Sequence, residues 1–225
     1  MTEHLADPAS LPTAVLTARF SEAVRWASHL HADQCRKGTQ IAYVAHLLAV
    51  ASLVLEDGGT EDEVIAGVRH DVIEDCGASG AEIRARFGGA VAEIVAACTD
   101  EGGARDATDW KPRKQAYLDH LERGELPVGA LRVSASDKLH NARSILSDLH
   151  EHGAATWDRF NASVDDQTWY YTELVRILRA RHDSIVTREL ARVVEELTEQ
   201  IADTGAGRGA GPDAEHGPVR RGRPR

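Results

Sequence analysis

Cysteine is scarce in this chain: three among 225 residues, Cys35, Cys76 and Cys98. That number and that irregular spacing exclude a disulfide framework and a CxxC metal site. They read as reduced thiols packed in a cytosolic protein. The start, MTEHLADPAS, lacks a basic segment followed by an apolar core, so no secretory leader is expected. Long hydrophobic runs are missing too. The stretch Val44–Val54 is too short to span a bilayer and already holds His46 and Ser52. The expected compartment is the cytoplasm, with no membrane partner. Positive charge is also in deficit, 26 Lys and Arg against 36 Asp and Glu, a net charge of −10. A surface that binds duplex nucleic acid as a whole is thereby argued against, whereas a phosphate site needs only a few cations in one place. Finally, no run alternates apolar and polar residues between turns, so no strand is expected and the fold class is all-α.

What is present is helical spacing. Phe20, Val24, Ala27, Leu30 and His31 recur on one face, with Glu22, Arg25 and Ser28 on the other. A second helix is expected from Tyr43 to Leu55, stopping at Asp57-Gly58-Gly59. Thr60 with Glu63 reads as a capping box, opening a helix that carries Val64, Ile65, Val68, Val72 and Ile73. Ser79 with Glu82 repeats the signature before a helix ending near Phe87-Gly88-Gly89. Further helices are expected at Ala90–Thr99, Pro112–Arg123, Val128–Leu149, Gln167–Ala180 and Ser184–Ile201, with a polar loop over Asp100–Trp110. The expected organisation is a loose leader over 1–17, one helical bundle of eight to ten helices over 18–201, and a disordered Gly/Pro/Arg-rich tail over 202–225.

The text that carries chemistry is His70-Asp71-Val72-Ile73-Glu74-Asp75. On a continuous helix His70 and Glu74 share a face, as do Asp71 and Asp75, beside the apolar Val68, Val72 and Ile73. Burying such charge without a partner costs several kcal/mol, and a divalent metal is one partner that could satisfy the four groups together. An exposed acidic helix end is the alternative. His46 lies within the apolar Tyr43–Leu55 helix and Asp137 within Leu131–Leu149; each alone reads first as a hydrogen-bonded core histidine and a solvated aspartate. Taken together, two imidazoles and two carboxylates suit Mn²⁺ or Fe²⁺, and Zn²⁺ also fits. Arg36-Lys37 lies in a basic loop just before the His46 helix, either exposed or facing an anion.

In order along the chain these motifs read H-x-x-Q-x-R-K at His31–Lys37, Y-x-x-H at Tyr43–His46, H-D-x-x-E-D at His70–Asp75, F-G at Phe87-Gly88 and D-K-x-x-N-x-R at Asp137–Arg143. The series resembles the HD superfamily, and within it the hydrolase domain of RelA/SpoT homologues in its stand-alone form, the small alarmone hydrolases. The resemblance covers Phe20 to Arg181. It implies a single Mn²⁺ held by His46, His70, Asp71 and Asp137. Glu74 and Asp75 match the acidic pair that positions and activates water. Arg36 and Lys37 match the basic pair that contacts nucleotide, and Asn141 matches a residue that hydrogen-bonds it. Tyr43 and Arg143 belong to the same motifs and join the substrate-binding set, as does Tyr170, for which core packing is the alternative. The implied reaction releases pyrophosphate from the 3′-diphosphate of (p)ppGpp, the stringent-response alarmone.

Two departures stand out. Ala42 replaces a usual proline, and Arg69 precedes the HD pair where an apolar residue is common, so that it would alter the pocket or pair with an acidic neighbour. Other readings keep the metal and change the substrate, to (p)ppApp or the 2′-phosphate of NADPH, or keep only nucleotide binding in a regulator. The expected partner is a small nucleotide. The R-G-R-P core within Arg220–Arg225 resembles an AT-hook, but a solvated arginine-rich terminus is the preferred reading, and nucleic acid is not expected. Homo-oligomerisation is left open by the sequence.

Overall fold

Side-chain caps set several of the helix starts. In the computed structural model, which describes residues 15–99 and 110–204, ten α-helices follow one another. They are α1 Ala18–Leu30, α2 Val44–Glu56, α3 Glu61–Arg69, α4 Val72–Cys76, α5 Gly80–Phe87, α6 Gly89–Cys98, α7 Trp110–Arg123, α8 Val128–His152, α9 Val164–Arg181 and α10 Ile185–Thr204. A 3₁₀ segment, Gly153–Arg159, joins α8 to α9. Extended pairing among the described residues is limited to an isolated bridge between Cys35 and Ala42. The all-α expectation holds. Residues 1–14, 100–109 and 205–225 lie outside the described residues, and with them the expected leader, polar loop and R-G-R-P tail; 202–204, read as tail, belong to α10.

Thr17 Oγ1 accepts the Arg19 N–H at 3.2 Å to open α1. At α3 both halves of the capping box form: Thr60 Oγ1 accepts from Glu63 N–H, and Glu63 accepts the Thr60 N–H at 2.7 Å. The Ser79 hydroxyl caps α5 at Glu82 N–H, 3.2 Å. Gly88 separates α5 from α6 at φ 96°, a region that disfavours any side chain.

One expectation is corrected. The helix through Val64–Ile73 is not continuous: α3 ends at Arg69, and His70 and Asp71 form a turn before α4. Asp71 sits at φ −97° and ψ −1°, which turns the chain there while its C=O still accepts the Asp75 N–H at 2.8 Å. His70 and Glu74 therefore do not share one face of one helix.

Two hydrophobic clusters fill the interior, and α8 belongs to both. Its Ala130 and Val133 join α1, α2, α3, α5 and α6 in the first. Its Leu131, Ala135, Leu139, Ala142, Ile145, Leu146 and Leu149 join α7, α9 and α10 in the second. Gly129 lets α8 approach α3 closely, since a Cβ there would lie 2.7 Å from Glu63 Cγ and 2.8 Å from Ile94 Cδ1.

A buried carboxylate pins these layers. Asp57, just past α2, accepts from His182 Nε2 at 3.0 Å, Arg132 Nε at 3.1 Å and the Val186 N–H at 3.2 Å. Arg132 reaches on to Glu63 at 2.6 Å, so α2, α3, α8 and the α9–α10 turn meet in one network. Burial alone would raise the Asp57 pKa, but hydrogen bonds from His182, Ser184, Val186 and Arg132 bring it down to about 2.

Arg69 neither pairs with an acid nor enters a pocket. It is fully buried between α1 and α3, its guanidinium 3.3 Å from the Trp26 ring centroid, donating to Ala23 C=O at 3.3 Å. Its Nε and Nη2 have no hydrogen-bond partner, and burial pulls its pKa down to about 9.

Two outcomes follow for stability. Asp57→Ala leaves His182 Nε2, Arg132 Nε and the Val186 N–H without their acceptor, while Arg132 keeps Glu63, and costs about 1–3 kcal/mol in denaturant unfolding at pH 7. Because the folded pKa of Asp57 lies below its ordinary value of 3.8, its contribution is complete above that value and lost as pH falls toward 2. The gap between wild type and Asp57→Asn should narrow over that interval. Arg69→Met, which removes an unpaired buried charge and keeps the volume, should raise stability by about 1–2 kcal/mol; a lower Tm would show that stacking on Trp26 outweighs desolvation.

Candidate metal centre

Three elements converge on one buried point. His46 lies one turn into the apolar α2, His70 in the turn after α3, and Asp137 midway along α8; all three are at most 7% exposed. Their ligand-type atoms lie within 4.8 Å of one another. His46 Nε2 is 3.2 Å from Asp137 Oδ1, and His70 Nε2 is 3.7 Å from the same oxygen. Asp71 adds a second carboxylate, its Oδ2 2.9 Å from His70 Nε2 and 3.8 Å from His46 Nε2. Tyr43 donates a short hydrogen bond to that same oxygen.

The donor chemistry fits a divalent cation. His70 Nδ1 lies 2.9 Å from Gly67 C=O, which can only accept, so Nδ1 carries a proton and Nε2 is the nitrogen left to bind a cation once the ring is neutral. That Nε2 is buried without a hydrogen bond. Burial would lower the His70 pKa, but Asp71 and Asp137 raise it well above 6.5, so protons and a cation compete for the same place. His46 is shifted the other way, chiefly by burial. Burial would raise Asp137, yet the Lys138 ammonium and both histidines hold it well below the usual carboxylate range. Lys138 donates to Asp137 Oδ2 at 2.6 Å, and Asn141 Nδ2 donates to Oδ1 at 2.6 Å.

Beside this group opens a cavity of about 650 Å³, within the range of small-molecule sites. Tyr43, Lys138, His140 and Asn141 lie on its wall and also touch the His–Asp group or its immediate partners. Six cationic side chains line it, Arg36, Lys37, Lys114, Lys138, Arg143 and Arg159, against one carboxylate, Asp148. The chain as a whole is acidic, so this concentration of positive charge is local.

The residues singled out in the sequence fall into three groups. His46, His70, Asp71, Asp137, Tyr43, Asn141 and Arg36 are drawn together. Arg36 lines the cavity but spends its guanidinium on His140 Nδ1, Asn141 Oδ1 and Ser144 Oγ at 3.1, 3.1 and 3.2 Å. Lys37, Arg143 and Tyr170 form outer wall. Arg143 also reaches Glu189 at 3.4 Å, and Tyr170 is both core and wall, 4% exposed and edge-on to Trp110. Glu74 is exposed on α4, and Asp75 accepts from Gln34 at 2.8 Å; neither lines the cavity.

Four wall residues were given no role from the sequence. His140 sits inside D-K-x-x-N-x-R, three residues after Asp137, and helical spacing alone would place it on the same side of α8. Lys138 belongs to the same motif. Lys114 and Arg159 come from α7 and the 3₁₀ segment, and nothing local marks them.

These features define an HD-domain protein, and the HD-domain family model matches residues 23–163, so the chain belongs to that family. Within it the chain is homologous to the SpoT/MESH1 ppGpp hydrolases. It is 31% identical over 132 residues to mouse guanosine-3′,5′-bis(diphosphate) 3′-pyrophosphohydrolase MESH1, a match covering 57% of this chain and 70% of the mouse protein. It is 32% identical over 120 residues to a Synechocystis protein named as a probable enzyme of that activity, covering 53% of this chain but only 16% of that much longer one. Among solved structures, a metazoan SpoT orthologue described as hydrolysing ppGpp superposes with a TM-score of 0.63 at 22% identity, over 86% of this chain and 99% of that one. A Listeria monocytogenes protein superposes with a TM-score of 0.61 at 28% identity, over 68% of this chain and 99% of that one. No helix among the described residues is long and apolar enough to cross a membrane.

If the buried group holds a divalent ion in the folded state alone, Mn²⁺ at a hundred times its Kd should stabilise the chain by about 2.7 kcal/mol. His70→Ala should abolish that gain, measured as the Tm shift with and without Mn²⁺; an equal shift in both proteins would place binding elsewhere.

Proposed function

We propose that this protein is a Mn²⁺-dependent 3′-pyrophosphohydrolase of (p)ppGpp. The observation that carries the reading is the buried His46–His70–Asp137 group set against a cavity with six cationic side chains. A nucleoside carrying a 3′-diphosphate and 5′-phosphates on one ribose places the 3′-diphosphate at the buried group and leaves the 5′-phosphates for the surrounding cations. Homology to ppGpp hydrolases supports the same substrate class.

In this reading His46, His70, Asp71 and Asp137 hold the ion. When bound, it supplies Lewis-acid charge beside a phosphoryl group and lowers the pKa of nearby water. Lys138 and Asn141 keep Asp137 oriented and ionised. Tyr43 does the same for Asp71. Glu74 and Asp75 position the attacking water and take its proton. The water oxygen bonds to the phosphorus attached to the ribose 3′ oxygen, that P–O bond breaks, and a proton ends on the 3′ oxygen. The products are GDP or GTP and pyrophosphate. Lys37, Lys114, Arg143 and Arg159 meet the remaining phosphates, Asn141 hydrogen-bonds the nucleotide, and Tyr170 forms part of the wall beside it.

The test is product analysis of the purified chain with ppGpp, ppApp and NADPH, with and without Mn²⁺. GDP and pyrophosphate, formed only with Mn²⁺, are expected from ppGpp. Phosphate release from NADPH alone, or tight nucleotide binding without turnover, overturns the reading. Glu74→Gln should keep metal binding and lose roughly 10²-fold in turnover. Lys37→Glu, which sets a like charge against the substrate, should raise KM for ppGpp by about tenfold or more.

A further inference from the structure

His46 can serve a cation at Nε2 only if its proton sits on Nδ1, and nothing in α2 itself imposes that tautomer. Its Nδ1 faces another ring nitrogen, His140 Nδ1, at 2.8 Å. Two imidazole nitrogens can share a hydrogen bond in either direction, so this contact alone leaves the proton unassigned. The third member decides it. Arg36 Nη1 lies 3.1 Å from the same His140 Nδ1. A guanidinium has donors and no acceptor. His140 Nδ1 must therefore be the acceptor. His46 Nδ1 is then the donor, and the His46 Nε2 lone pair is turned toward Asp137 and Asp71.

We infer that His140 is a positioning residue which, held as an acceptor by Arg36, fixes His46 in its Nε2-ligating tautomer. Arg36 is oriented for this by Asn141 Oδ1 and Ser144 Oγ, and Asn141 also donates to Asp137 Oδ1, so one set of bonds aligns ligands on α2 and α8. His70 reaches the same state by a different route, through the Gly67 carbonyl in its own turn. Partners that hold the outer nitrogen of a ligating histidine commonly change metal affinity by 10–100-fold when removed. The inference rests on the metal reading above but not on the identity of the nucleotide.

The experiment compares the full-length wild type with His140→Phe, which keeps a ring and removes the acceptor, and His140→Asn, whose Oδ1 can replace Nδ1. Folding of each is checked by circular dichroism, and Mn²⁺ affinity is measured by calorimetry in the absence of nucleotide. The Phe variant should bind Mn²⁺ about 10–100-fold more weakly, and the Asn variant within about threefold of wild type. Nitrogen-15 spectra of the metal-free wild type at pH 8 should show His46 with its proton on Nδ1. Equal Mn²⁺ affinity in wild type and the Phe variant overturns the inference, as does a wild-type His46 without a proton on Nδ1. Equal weakening in the Asn and Phe variants also overturns it, because packing rather than the acceptor would then matter. Absence of Mn²⁺ binding in the wild type overturns the metal reading itself, and this inference with it.

Discussion

Two imidazoles and two carboxylates drawn together in a protein interior repel, desolvate and compete for protons, and the rest of this structure is arranged around that constraint. Asp137 carries the heaviest load. Its Oδ2 takes the Lys138 ammonium, while its Oδ1 takes the Asn141 amide and faces both histidines. A carboxylate buried this deeply stays ionised only because cations and N–H donors surround it. Asp71 is managed by the Tyr43 hydroxyl and by His70. The break between α3 and α4 belongs to the same solution, since an uninterrupted helix would present Asp71 one residue further round the axis from His70.

Such a group must be held by elements that do not shift. Its members come from α2, from the turn after α3 and from α8, and the Asp57–Arg132–Glu63–His182 network joins the same elements. The long α8 is common to both hydrophobic clusters, so the face carrying Asp137, Lys138, His140 and Asn141 is fixed by packing on either side. Arg69 is the exception to this economy. It buries a charge on aromatic rings without an acid, and nothing in the site requires it there.

The charge distribution has a functional sense. A net charge of −10 disfavours non-specific binding to nucleic acid, while a cavity with six cations and one acid is suited to a small, highly charged anion. Two of those cations also work inward: Lys138 neutralises Asp137, and Arg36 is bonded to His140, Asn141 and Ser144, so the cationic wall is also the scaffold of the His–Asp group.

The helical class was legible along the chain, because apolar spacing and hydroxyl caps act within a few residues. Thr60 with Glu63 and Phe87-Gly88-Gly89 could be placed from local chemistry alone. The sequence also pointed to His46, His70 and Asp137, since ionisable residues amid apolar spacing need a partner wherever they occur. It misjudged the chain at His70 and Asp71, where a contact with Tyr43, 28 residues away, accompanies a departure from continuous helix. Only the tertiary structure could show that Arg69 finds Trp26 rather than an acid, or that Lys114 and Arg159 face the same cavity as Lys37. The proton on His46 is likewise set by Arg36 acting through His140, 104 residues further along the chain than Arg36. Periodicity and caps are read from neighbours along the chain, whereas the counter-charges and hydrogen-bond directions that decide a buried site come from residues that meet only after the helices pack.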